Sequence, residues 1–437
     1  MEVEAALQRK QHGCLREEGT DGDRIPYGQL LPLVSRASSH LRKLLHPQHC
    51  AAGCSGHASE GPRVPLVGLI MEQSMHYISA VLACLAAGYA FLPLDPSWPL
   101  AHLHGILRTA QPLAVLFDSH VSSTSDSQHT RLAECGVAVI DIAQLLSQGG
   151  GQEQHSGDSG CQQNEPRLPQ QQQPALTEQQ ESNASEQQQG LQQTCRSLPY
   201  FCVMFTSGST GLPAGICCTE AGLLNRCSWM DNTYPFLQGD LVAAKTAPCF
   251  VDSLWEMFGP LLAGASLLVL RRSIVLQPSL MAQALIREGA THFVAVPSVL
   301  RLMLPMLRTL SMSEPVPLNA PNPSHCCLAW EGLETASYER PPAASGLAVP
   351  RPAGMPQKWQ QQQCSLRHVV SSGEPLSLEL CQQLKEVLPG HCKLLNLYGS
   401  TEVAADCACF DTCQLHPLLQ HCQQQRLLPS QHHQHQH

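Results

Sequence analysis

Short apolar runs alternate with longer stretches of helical period along most of this chain. VPLVGLIM (64–71) reads as a buried strand, SMHYISAVLACLAAG (74–88) as a helix closed by Gly88, and YAFLPLD (89–95) as a second strand. LAHLHGILRTA (100–110) and PLAVLF (112–117) repeat the helix and the strand. The rhythm resumes with the strand YFCVMF (200–205), a glycine-rich loop and a helix through AGLLNRCSWM (221–230). SLWEMFGPLLAG (253–264), ASLLVL (265–270), SLMAQALIREG (279–289) and THFVAV (291–296) read as helix, strand, helix, strand. LRHVVSS (366–372), LSLELCQQLKEVLPG (376–390) and CKLLNLYG (392–399) close the series as strand, helix, strand. Uninterrupted apolar strands separated by helices are what parallel sheets covered on both faces require. The predicted fold class is α/β, with stacked, mostly parallel sheets wrapped by helices.

Two Gln/Pro/Ser-rich segments break this order. Neither has the apolar content to bury a core, so both are expected to be disordered insertions. The resulting division is a tail (1–24), a first α/β part (25–146), a Gln-rich insertion (147–196) and a second α/β part (197–310) with the glycine-rich loop. A low-complexity insertion (311–364), a third α/β part (365–411) and a Gln/His-rich tail (412–437) follow. The chain of 437 residues, 43% of them hydrophobic, is long enough for a sizeable core. A formal charge of −9 without a dense Lys/Arg run argues against nucleic acid or an acidic membrane as partner. No segment reaches the ~18 uninterrupted apolar residues of a membrane span, and the charged N-terminus does not read as a secretory signal, so a cytoplasmic protein acting on small molecules is expected. The 21 cysteines are then expected as thiols. Metal binding by Cys407, Cys409, Cys413, His416, His421 and Cys422 is the alternative, although their spacing lacks facing C-x₂₋₄-C pairs.

Three loops at predicted strand ends carry chemistry, and strand ends are where α/β folds bind ligands. In Thr206-Ser207-Gly208-Ser209-Thr210-Gly211, hydroxyls and unencumbered glycine amides suit phosphate oxygens. SSGEPL (371–376) leaves the next such strand. NLYGSTE (396–402) sets a ring, a hydroxyl and a carboxylate within five residues, the means to stack on a base, bond a phosphate and hold Mg²⁺. Each alone is more often a linker, a helix entry or strand punctuation. The three in order, each at a strand end, are specific.

FTSGSTGLPAG (205–215), SSGEPLS (371–377) and NLYGSTE resemble the signature loops of the adenylate-forming superfamily of acyl-CoA synthetases, luciferases and nonribosomal peptide synthetase adenylation domains. IPYGQLLPLVSRASSHLRKLL, YISAVLACLAAGYAFLPLDPSWPLAHLHGIL, NRCSWM, KTAPCFVDSLWEMFGPLLAGASLLVL and VAVPSVLRLML extend the resemblance over roughly 25–411, outside the insertions. Within it the chain is most similar to the amino-acid-adenylating branch, in particular the β-alanine-activating (aminoadipate-semialdehyde-dehydrogenase-like) enzymes. The resemblance implies attack of a small-molecule carboxylate on the α-phosphate of ATP, giving an acyl-adenylate and pyrophosphate. A thiol of CoA or of a carrier protein's phosphopantetheine then takes the acyl group. It further implies that Thr206, Ser207, Gly208, Ser209, Thr210 and Gly211 cradle the β- and γ-phosphates, and that Gly373 and Glu374 line the adenosine site. Tyr398, followed by Gly399, stacks on adenine; Thr401 bonds the α-phosphate and Glu402 holds Mg²⁺. Val251, Asp252, Trp255 and Ser372 wall the carboxylate pocket, although Trp255 and Phe258 are equally natural as core residues of an amphipathic helix. Asp95, in LPLDPSW, is assigned a structural role.

This sequence departs from the family in three places. The amino-acid-activating enzymes place an Asp directly after the Phe, whereas here the order is Phe250-Val251-Asp252. A one-residue slip in extended chain turns a side chain to the opposite face, which favours a β-amino acid or an amine-free carboxylate over an α-amino acid. Asp252 either meets a more distant amine or caps the following helix. Ala214 stands where the family loop has Lys, removing a cation from the phosphates. The family's TGD motif, hinge and C-terminal domain with its catalytic Lys find no counterpart, and Lys393 lies in the strand before Tyr398. The expectation is a large N-terminal domain with weak adenylation by itself, or a nucleotide-binding or interaction protein that keeps the fold without turnover.

Overall fold

The computed structural model describes residues 13–18, 24–52, 64–119, 136–147, 199–206, 213–311, 364–403 and 405–415. Most of both Gln-rich insertions, and the C-terminal tail from 416 onward, lie outside these residues.

Fourteen strands are described: β1 (Cys14–Glu17), β2 (Arg24–Pro26), β3 (Leu66–Ile70), β4 (Ala90–Leu94), β5 (Ala114–Phe117), β6 (Ala138–Asp141) and β7 (Cys202–Thr206), followed by β8 (Ala214–Cys218), β9 (Leu241–Ala244), β10 (Ser266–Val269), β11 (His292–Ala295), β12 (His368–Ser371), β13 (Lys393–Ser400) and β14 (Ala405–Asp411). The helices are α1 (Tyr27–Ala52), α2 (Met75–Ala87), α3 (Leu100–Ala110), α4 (Ile142–Ser147), α5 (Glu220–Thr233), α6 (Asp252–Ala263), α7 (Arg272–Val275), α8 (Pro278–Glu288), α9 (Pro297–Ser311) and α10 (Leu378–Val387). One sheet runs β6-β5-β3-β4-β7-β8 and the other β14-β13-β12-β11-β9-β10-β1-β2. All pairings are parallel except β7 with β8, β1 with β2 and β13 with β14. The antiparallel pairs sit at sheet edges, where a strand can be added by a short return of the chain without a crossover helix.

Local chemistry sets the helix ends. Ser74 Oγ accepts the Tyr77 amide at 3.0 Å to open α2. Gly88, at φ +86°, closes it by donating its amide to the Cys84 and Leu85 carbonyls, a left-handed conformation that glycine adopts without a Cβ clash. Both faces of the central strands are covered, which is why all five residues of β3 and of β4 are buried. Leu69, Phe91 and Met204 of one sheet share a core with Val242, Leu267, Val370 and Leu395 of the other, and Tyr77, Ile78, Trp255 and Phe258 of α2 and α6 fill the space. Separate clusters line the outer faces, around Phe293, Leu285 and Met303 on the larger sheet and around Leu92, Ile106 and Leu107 on the smaller. At roughly 1.5–3 kcal/mol per fully buried large apolar side chain, these layers set the packing of the two sheets.

Two expectations are corrected here. The segment 1–24 is not wholly a tail, because Cys14–Glu17 pairs in parallel with β10 and Leu15 is fully buried. The chain after the glycine-rich loop does not go straight into helix. It first returns as β8, an edge strand whose Ala-Gly start has little strand propensity and whose pairing with β7 supplies the order.

Candidate functional site

The hairpin of β7 and β8 carries the glycine-rich loop. Thr206 and Ala214 face each other at its open end. Ser207, Gly208, Ser209, Thr210 and Gly211 lie outside the described residues. Ala214 is exposed.

The other two loops leave neighbouring strands. Ser371, the last residue of β12, stands level with Asn396 of β13, so Ser372–Glu374 and Tyr398–Glu402 emerge at one sheet end. The turn Thr401–Val403 packs against β8, which brings the hairpin of the smaller sheet to the larger sheet's strand ends. Gly373 has φ +83°, and a Cβ there would meet Val296 Cγ1 at 3.3 Å; both facts call for glycine. The Glu374 carboxylate accepts from the Ser298 amide at 3.0 Å and the Ser298 hydroxyl at 2.9 Å, so it holds the first turn of α9. Tyr398 is 73% exposed, leaving its ring open for stacking. Gly399 follows at an irregularity in the β13–β14 pairing. Glu402 is exposed, and a hydrogen bond from Ser400 holds its carboxyl below the usual range. An open ring, a left-handed glycine and an ionised carboxylate beside a hydroxyl fit a nucleotide and its Mg²⁺.

A small apolar pocket opens next to this edge. Val251 and Trp255 line it with Phe201, Leu223, Leu254 and Arg226. Ser372 is buried instead against β11, with its amide 3.4 Å from the Ala295 carbonyl. Trp255 is both wall and core, 2% exposed and stacked on Phe236 at 6.4 Å. Asp252 does not cap α6: the N-cap is Val251, no side-chain cap bond forms, and Asp252 is already the first helical residue. Its carboxyl is pushed up to about 6 by burial and by the nearby Asp406 and Glu256 carboxylates, against the pull of Lys245 and Arg226.

The cluster around Asp252 was not singled out by sequence. Arg226 of α5 donates Nε to Asp406 of β14 at 2.6 Å, with both side chains 5% exposed. The guanidinium lies 5.1 Å from the Trp229 ring and 5.3 Å from the Trp255 ring, a stacked geometry that a planar cation suits. Glu256, fully buried, accepts from the Lys245 and Thr246 amides at 2.9 and 2.8 Å and from the Thr246 hydroxyl at 2.7 Å, with Lys245 Nζ 3.9 Å away. The available signal was charge inside apolar segments: Arg226 in NRCSWM, Glu256 in SLWEMF and Asp406 in ADCACF.

Asp95 has the expected structural position, accepting the Ser97 amide and hydroxyl at 2.8 and 2.6 Å. Lys393 begins β13, five residues from Tyr398, with Nζ 4.9 Å from the Tyr234 ring. The described cysteines are free thiols, and among the described residues no group of three or more His, Cys, Asp or Glu is placed to hold a metal. His416, His421 and Cys422 lie outside the described residues. Among the described residues no helix is long and apolar enough to cross a membrane.

Known proteins are similar to this chain. The chain is 27% identical over 347 residues to the β-alanyl-bioamine nonribosomal peptide synthetase ebony of Drosophila melanogaster, covering 79% of this chain and 30% of that protein. It is also 27% identical over 343 residues to enterobactin synthase component F of Escherichia coli O157:H7, covering 78% of this chain and 19% of that one. It thus spans under a third of the length of these relatives. Among solved structures, the nonribosomal peptide synthetase FmoA3 in its AMPPNP-bound form superposes with a TM-score of 0.60 at 18% identity, over 94% of this chain and 32% of that one. O-succinylbenzoate coenzyme A synthetase of Bacillus subtilis, in complex with ATP and magnesium, superposes with a TM-score of 0.57 at 14% identity, over 95% and 63%. These likenesses show the fold. The family described as AMP-binding enzyme matches residues 4–429, and this chain belongs to it.

Proposed function

We propose that this chain activates a carboxylate that carries an amine, a β-amino acid in particular, as its acyl-adenylate, with release of pyrophosphate and transfer to a thiol of CoA or carrier-protein pantetheine. The observation that carries the reading is Asp252. It is the first residue of α6, next in sequence to the pocket residue Val251, and its carboxylate has no hydrogen-bond or ion-pair partner among the described residues, while Asp406 and Glu256 each have one. A substrate ammonium supplies the missing partner.

In the first half-reaction a substrate carboxylate oxygen bonds the α-phosphorus of ATP and the α–β phosphoanhydride breaks, expelling pyrophosphate. Tyr398 stacks on the base, Gly373 lets the backbone pass close to the adenosine, and Thr401 donates to the α-phosphate. Thr206 and the loop after it hold the outer phosphates. Mg²⁺ held by Glu402 supplies charge neutralisation at the phosphate oxygens when bound. In the second half-reaction the thiol sulfur bonds the acyl carbon and AMP leaves. The protein's contribution is positioning and electrostatics.

ATP–pyrophosphate exchange with β-alanine, α-alanine and propionate tests this reading. Exchange dependent on β-alanine is expected, and exchange supported equally by propionate overturns the amine contact. A second reading, nucleotide binding without turnover, is favoured by the exposed Ala214 at the phosphate hairpin. Calorimetric ATP binding with no exchange for any acid selects it.

A further inference from the structure

Three cysteines lie in the hairpin that carries the glycine-rich loop, and the strand register sorts them. Cys202 of β7 stands directly opposite Cys218 of β8, while Cys217 stands opposite Val203. Opposed residues of an antiparallel pair project to the same face of the sheet. Cys202 is fully buried and Cys218 is 5% exposed, and both belong to the core between the two sheets. Val203 packs in the outer cluster instead, and Cys217 is exposed. All three are free thiols.

Directly opposed Cα atoms of an antiparallel pair lie about 4.5–5.5 Å apart, inside the roughly 4.4–6.8 Å that a disulfide spans. Cys202 and Cys218 are therefore placed to join without rearranging the strands. Cys218 is also reachable, because it lines the small apolar pocket with Thr219 and Leu223. A hydrogen bond from the Cys202 thiol holds Cys218 below the usual thiol value, and burial pushes Cys202 well above it. The sulfur at the pocket is thus the one that reacts first.

We propose that Cys202 and Cys218 form a peroxide-sensitive redox pair, whose disulfide closes across the base of the hairpin and fixes the strands that carry the glycine-rich loop. The oxidant is hydrogen peroxide, a neutral molecule small enough for the pocket. The Cys218 thiolate sulfur bonds one peroxide oxygen, the O–O bond breaks, and the hydroxide released takes up the thiol proton as water. The Cys202 sulfur then attacks the Cys218 sulfenic acid: the S–S bond forms, the S–O bond breaks, and the departing hydroxide takes the Cys202 proton as a second water. The two thiols lose two electrons, and one peroxide is reduced to two waters. Thr206 is four residues after Cys202 and Ala214 four before Cys218, so the bond holds the two ends of the loop from directly below.

The test treats the full chain with hydrogen peroxide, blocks the remaining thiols with N-ethylmaleimide and maps the cysteines by mass spectrometry. Chymotrypsin, cutting after Phe205 and Leu212, separates Cys202 from Cys217 and Cys218. A link between the two peptides, released by dithiothreitol, is expected in wild type and in C217S. C218S should lose the link, and C202S should leave Cys218 as a sulfenic acid that dimedone traps. A link that persists in C218S or is lost in C217S assigns the reaction to the exposed thiol and overturns the proposal, as does the absence of any link once Cys217 is oxidised. C217S changes only an exposed side chain, so it decides the pairing even where C202S or C218S does not fold. Deuterium exchange of the β7 and β8 amides reads the effect on the hairpin: it should slow about tenfold or more in bridged C217S and recover on reduction. Exchange unchanged by a mapped bridge overturns the fixing of the strands.

Discussion

Arg226 and Asp406 lie 180 positions apart and meet at 2.6 Å, each side chain 5% exposed. The bond ties α5, which follows the phosphate hairpin, to β14, which follows the Tyr398–Glu402 turn, across the two sheets. Removing one partner strands a buried charge, so R226A should lower unfolding stability by about 3–5 kcal/mol. Urea denaturation checks this, and R226M/D406N should recover most of the loss.

Asp252 makes stability and substrate binding oppose each other in pH. Its folded-state value is raised from 3.8 to about 6, so the folded chain holds the proton more tightly than the unfolded one. The associated stability is present below pH 4 and lost as pH rises through 6. D252N should therefore be more stable than wild type at pH 8 by about 3 kcal/mol, with the difference shrinking on acidification to pH 4. Binding of β-alanine should strengthen over the same rise in wild type, and not in D252N.

The buried pair His292 and His368 gives the opposite slope. Their rings stack at 4.7 Å and bond at 3.0 Å, with Thr291 Oγ1 2.8 Å from His292. Burial lowers both, helped by the neighbouring His368 charge for His292 and by Arg367 and Lys393 for His368, which falls to about 4. The unfolded state takes up protons first, so this stability is full above pH 6.5 and lost as pH falls toward 4. Thermal unfolding midpoints should drop over that range, and the drop should be smaller in H368Q.

Gly373→Ala should cost about 1–2 kcal/mol of stability, because its φ of +83° is left-handed and the new Cβ meets Val296 at 3.3 Å. ATP affinity by calorimetry should fall with it, while G390A, where a Cβ meets nothing within 4 Å, should leave both unchanged.

Ala214→Lys tests the missing cation. The position is exposed at the mouth of the phosphate hairpin, so stability should stay within about 0.5 kcal/mol. β-Alanine-dependent exchange should rise by about 10²-fold, the worth of one donor to developing phosphate charge. An unchanged rate assigns the loop no need of a cation.

Most of the α/β order was legible because covered parallel strands leave continuous apolar runs: VPLVGLI, YAFLPL and THFVAV all became strands. β1 and β8 were not legible. CLRE is polar and gains order from β10 and β2 on either side, and AGICC gains order from β7. At the candidate site, Tyr398, Thr401, Glu402, Gly373 and Glu374 were singled out from local spelling, since a turn's chemistry is written in adjacent residues. The hold of Glu374 on Ser298 was invisible, being a contact between loops 76 positions apart.

By itself the sequence determined the layered fold class and the family, because each depends on residues close together in the chain. Whether Asp252 caps a helix was decided only by tertiary structure. The N-cap fell to Val251, and folding brought Asp406, Glu256, Arg226 and Lys245 around the carboxylate. Charge balance in a low-dielectric space depends on distance in three dimensions, and no spacing along the chain encodes it.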